Sequence, residues 1–72
     1  MYSVWFDDLE KAVFALREKY PSMVTFCSIH GNANGDFVIK DFVNTFIVKH
    51  EDFSVWIFKG KDWRTGQWVE VK

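Results

Sequence analysis

Asp36-Phe37-Val38-Ile39-Lys40-Asp41-Phe42-Val43-Asn44-Thr45-Phe46-Ile47-Val48 is the stretch on which the fold turns. Val38, Ile39, Phe42, Val43 and Phe46 recur at helical spacing, so a helix over about 36–46 is one alternative. Against it, nine of the thirteen residues are Phe, Val, Ile or Thr, whose branched or aromatic side chains suit a pleated surface better than a helix. The stretch therefore predicts two strands, Phe37–Phe42 and Phe46–His50, paired around a turn near Asn44.

The flanks extend that pattern. Upstream, Met23–His30 is rich in β-formers, and Gly31-Asn32-Ala33-Asn34-Gly35 supplies residues that tolerate positive φ, so a hairpin loop is expected. Downstream, Glu51 and Asp52 reverse the chain into a strand over Phe53–Lys59. Arg64-Thr65-Gly66 marks a turn, with Gly66 suited to the left-handed conformation, before a last strand Gln67–Val71. At the other end, Tyr2-Ser3-Val4-Trp5-Phe6 reads as a short strand, and Asp7 with Glu10 has the spacing of a capping box. Leu9, Ala12, Val13, Leu16 and Tyr20 then make one apolar stripe of a helix over about 8–20, which Pro21 ends. Asp7 and Asp8 would sit at its positive end and Lys19 at its negative end.

The expected fold is thus a small α+β domain over 1–72, a largely antiparallel sheet with one amphipathic helix packed on one face. Nine Val and four Ile against two Leu, with fourteen aromatic residues, agree with a sheet-dominated chain. No apolar run reaches the ~20 residues that span a bilayer, and the N-terminus has no leader pattern. Cys27, the single cysteine, forms no internal disulfide, so a reducing, cytoplasmic setting is expected.

Candidate chemistry is thin. Cys27 and His30 have Cys-x-x-His spacing with His50 further on, but a structural zinc wants four ligands and three are present. Nothing sets a Cys27 nucleophile against a His30 or His50 base, and two isolated histidines make a weak pH switch. Asp7 with Asp8, and Glu51 with Asp52, read as helix-start and turn residues, not as an acid and base pair. The 31–35 loop lacks the Lys-Ser/Thr of a phosphate loop and the following helix of a dinucleotide site. No catalytic residue, metal site or cofactor is expected, and the chain is read as no enzyme.

What stands out is apolar surface in excess of what so small a domain can hide. A domain of about 60 residues buries only ~60% of its unfolded surface, yet on Phe53–Lys59 both faces are apolar: Phe53, Val55 and Ile57 on one, Trp56 and Phe58 on the other. Phe14 lies well round the helix from the apolar stripe, where a polar residue is usual. Phe14, Trp56, Phe58, Trp63, Arg64 and Trp68 have the composition of an interface hot spot. The expectation is a small protein-interaction module, a regulator or inhibitor of the bacterial or viral accessory kind, acting through an aromatic sheet face on a partner protein or as a homodimer. The alternative is single-stranded nucleic-acid binding through Lys59, Lys61, Trp63 and Arg64. Against it, residues 49–72 carry five Lys or Arg and four Asp or Glu, a net +1, and the whole chain is at −1.

Overall fold

A computed structural model of the chain describes residues 2–21 and 28–72, and for 2–6 the backbone alone. One helix, α1 (Tyr2–Lys19), precedes five strands: β1 (Ser28–Gly31), β2 (Phe37–Lys40), β3 (Thr45–Val48), β4 (Val55–Lys59) and β5 (Gln67–Val71). The strands lie in the sheet in chain order, each antiparallel to the next. The fold is therefore α+β, an up-and-down sheet with a helix laid over β3 and β4.

Residues 36–48 are strand-turn-strand, and the second helix over 36–46 does not form. Asp41 decides this locally. Its carboxylate accepts hydrogen bonds from the backbone N–H groups of Val43 and Asn44, and its own N–H donates to the Asn44 carbonyl at 3.0 Å. An aspartate that satisfies its neighbours' amides in this way competes directly with helix formation. Phe42 and Val43, which a helical stripe would bury, are 86% and 89% exposed at the tip. Phe42 thus belongs to the turn and not to β2, which ends at Lys40.

The N-terminal expectation also changes. No separate strand occupies 2–6; α1 already runs through it, and its first turn contains no acidic residue. Starting a helix is costly, but lengthening one fixes a single residue per added hydrogen bond, and no Gly or Pro interrupts residues 2–19. Asp7 and Asp8 are consequently mid-helix residues and not caps, and Asp8 Oδ2 lies 3.0 Å from His50 Nε2 instead. At the other end the Tyr20 N–H still reaches the Leu16 carbonyl at 2.8 Å, Arg17 and Lys19 occupy the last turn, and Pro21 follows.

Alternation does the rest. Phe37 and Ile39 on β2, Phe46 and Val48 on β3, and Val55 and Ile57 on β4 point to one side and are buried with Ala12 and Leu16 of α1. Tyr20 closes one end of this core, its ring edge-on to Phe46 at 5.0 Å. The hairpin turns share one device, an Asn or Asp side-chain oxygen that accepts backbone N–H groups two to four residues further on. Asn32 Oδ1 takes those of Asn34 and Asp36, Asp52 Oδ1 that of Ser54, and Asp62 Oδ1 those of Arg64 and Thr65. Buried Asp36 ties two turns together, accepting the His50 N–H at 2.9 Å with Lys49 Nζ 3.8 Å away.

Candidate interaction surface

The helix covers one side of the sheet, and the same alternation builds the other. Register places His30, Val38, Ile47, Trp56 and Glu70 in a row straight across the five strands. Beside it on the same face stand Lys40 and Thr45, then Phe58 paired with Trp68. Val38, Ile47, Trp56 and Phe58 are half-buried and Trp68 is 42% exposed, so an aliphatic and aromatic strip runs over the middle of the open face.

Local contacts hold the aromatic rings in place. Trp56 Nε1 donates to Ser54 Oγ at 3.0 Å, which satisfies the indole and leaves its hydrocarbon toward solvent. Phe58 stands edge to face with Trp68, centroids 5.3 Å apart and planes at 68°. Phe58 also lies over Gly66: a Cβ on that glycine would meet the Phe58 ring at 2.0 Å. Gly66 does not take positive φ, in contrast to the turn expectation; the residue is required for the space beneath a ring. A shallow depression of ≈ 300 Å³ between Ile47, Lys49, Trp56 and Trp68 is the concave part of the strip.

The other residues singled out in the sequence do not join this strip. Phe14 is 66% exposed on the outer side of α1, between depressions of ≈ 470 Å³ and ≈ 380 Å³ that share Glu10 with it. Trp63, 78% exposed, and Arg64 belong to the β4–β5 loop, where the guanidinium carbon lies 5.4 Å from the indole centroid. Lys61 is in the same loop, and Lys59 shares the helix-side orientation of Val55 and Ile57. Lys40 and Lys49 stand at the open face instead, and Lys40, Val38 and Ile47 are the members that the sequence did not single out. Their signal was present in the alternation of Phe37–Lys40 and Thr45–Val48, but it needs the register to become a surface.

Electrostatics concentrates in the turns. For Asp41, partial burial pushes the carboxyl upward, but the backbone N–H groups of Asn44 and Val43 outweigh it and hold it below the ordinary carboxylate range. Asp52 is lowered by the Ser54 hydroxyl and N–H, and Asp62 by the N–H groups of Thr65 and Arg64. Each supports a turn and none faces a cleft. Among the described residues no three His, Cys, Asp or Glu side chains gather as a metal site requires. Cys27, and with it the Cys27–His30 spacing and most of the Met23–His30 strand, lies outside the described residues. No described helix is long and apolar enough to cross a membrane. No family model, curated protein or solved structure matches the chain.

Proposed function

We propose that the chain is a non-enzymatic protein-interaction module that docks a partner protein on its open sheet face and regulates or inhibits it there. The observation that carries this is the continuous strip Val38, Ile47, Trp56 with Phe58 and Trp68, opposite the helix-covered core. Large apolar side chains gathered on one face, rimmed by Lys40, Lys49 and Glu70, have the make-up of an interface centre with a polar rim. The depression beside Trp56 suits an apolar anchor residue from the partner.

A base-stacking platform accounts for the face less well. Stacking successive bases needs rings lying flat along a basic track, whereas Phe58 and Trp68 are inclined at 68° and cannot both lie flat. Lys59, Lys61 and Arg64, the cations of the nucleic-acid alternative, lie off the strip.

The test is capture by immobilised chain, comparing the unaltered sequence with Trp56→Ala and Trp68→Ala variants whose circular dichroism is unchanged. The expected result is a captured protein that survives raised salt and is lost with either variant. Retention of single-stranded oligonucleotides that fades steeply with salt and depends on Lys61 and Arg64 would replace the proposal with the nucleic-acid reading.

A further inference from the structure

The β5 strand is the last in the sheet, and among the described residues no strand pairs with its outer edge. Its pairing with β4 runs without a bulge from Lys59↔Gln67 to Val55↔Val71. Sheet edges are ordinarily protected by Pro, Lys, a bulge or a covering element. β5 has no Pro or Lys, and Glu70 is its one charge. It also carries exposed apolar side chains on both sides of the sheet: Trp68, 42% exposed, on the open face and Val69, 45% exposed, on the helix side, where α1 lies over β3 and β4. A partner seated on the open face would cover Trp68 and leave Val69 bare. A strand added in the plane of the sheet reaches both.

We infer that β5 pairs antiparallel with β5 of a second copy of this chain, joining two five-stranded sheets edge to edge. This inference stands apart from the docking of a partner on the open face and does not rest on it. The sequence of β5 is self-complementary about its centre. A two-fold axis at Val69 uses all five residues, setting Val69 against Val69 of the second copy, Trp68 against Glu70, and Gln67 against Val71. No like charges then stand opposite one another. Of the two neighbouring symmetric registers, the one about Glu70 would oppose two carboxylates directly, which cross-strand pairing disfavours, and the one about Trp68 pairs only Gln67, Trp68 and Val69 within the strand. Joined in this way, the two open faces form one platform with two copies of the Trp56, Phe58 and Trp68 strip.

Light scattering on a sizing column, run from micromolar to millimolar chain, reads this directly. The expected mass approaches twice the 8.6 kDa of the single chain as concentration rises. Val69→Lys, an exposed edge substitution, should return it to the single-chain mass with unchanged circular dichroism, while Trp56→Ala leaves the dimer intact. In a Cys27→Ser background, Val69→Cys should cross-link between copies under mild oxidation roughly a hundredfold faster than Val43→Cys on an exposed turn, because the two-fold holds the thiols at millimolar effective concentration. A single-chain mass throughout, a dimer that survives Val69→Lys, a dimer lost with Trp56→Ala, or equal cross-linking at positions 69 and 43 would each overturn the inference.

Discussion

Replacing Gly66 by Ala tests the construction of the aromatic strip at its tightest point. The added Cβ would lie 2.0 Å from Phe58 Cζ, 2.4 Å from Cε2 and 2.9 Å from Cε1. Ordinary contact begins near 3.4 Å, so the ring must withdraw by about 1.4 Å, away from its place against Trp68. Forcing a packed side chain aside costs about 1–3 kcal/mol, and loosening the aromatic pair adds about 0.5–1.5 kcal/mol. Working the other way, Gly→Ala restricts the unfolded chain and returns about 0.4–1 kcal/mol where the backbone accepts it. The net expectation is a loss of about 1–3 kcal/mol. With Phe58→Ala already in place there is no ring to strike, and the same change should be neutral or stabilising by up to about 1 kcal/mol. Urea denaturation of the four proteins of this double-mutant cycle gives the coupling, and a change in near-ultraviolet dichroism on Gly66→Ala that is absent in the Phe58→Ala background reports the ring displacement. Equal cost of Gly66→Ala in both backgrounds would refute the claim that Gly66 is there to seat Phe58.

Three further outcomes follow from the same structure. Phe46→Ala removes a fully buried ring that also meets Tyr20 edge-on, and should cost about 3–5 kcal/mol, close to the whole stability of a chain this small, read as lost cooperative unfolding in urea. Phe14→Ser, at a side chain outside the core, should change stability by no more than about 0.5 kcal/mol in the same assay, and a larger loss would place Phe14 in the core. Acid should weaken the fold through the turns: the Asp41, Asp52 and Asp62 carboxyls are lowered in the folded chain, so their contribution is complete above the ordinary value of 3.8 and is lost as pH falls through the lower folded values. Asp62→Asn, which keeps an acceptor oxygen without the titration, should flatten the fall in urea midpoint below that pH, and an unaltered acid limb would contradict the assignment.

Much of the sheet is legible in the sequence because alternation and turn chemistry agree. Gln67–Val71 reads as a strand with the limits it has, and the Asn34-Gly35 loop sits where two β-rich runs need a hairpin. Residues 36–48 show how close the competition is. Val38, Ile39, Phe42, Val43 and Phe46 suit a helix by spacing, and the Asp41 side chain, by occupying two backbone donors, tips the segment to a hairpin. The N-terminal residues illustrate the opposite error. Local β preference at 2–6 is weak against extension of a helix already formed, so the capping-box spacing of Asp7 and Glu10 marks no boundary.

The candidate surface is legible in part for similar reasons. Period-two alternation suffices to put Trp56 and Phe58 on one face, and the helical angle of Phe14 suffices to expose it. It does not suffice to bring Val38 and Ile47 beside Trp56, because cross-strand neighbours are set by register. Proximity along the chain also misleads: Trp63 and Arg64 are near Trp68 in sequence, yet the Asp62 turn carries them onto a separate loop.

The proposal requires that the open face, and not the Phe14 side of the helix or the Trp63 loop, receive the partner. Site-specific photo-cross-linking tests it most directly, with benzoylphenylalanine placed in turn at positions 56, 14 and 63 in cells that naturally make the chain. A discrete adduct with another protein is expected from position 56, and none of comparable yield from 14 or 63. An adduct from 14 or 63 with none from 56 would contradict it.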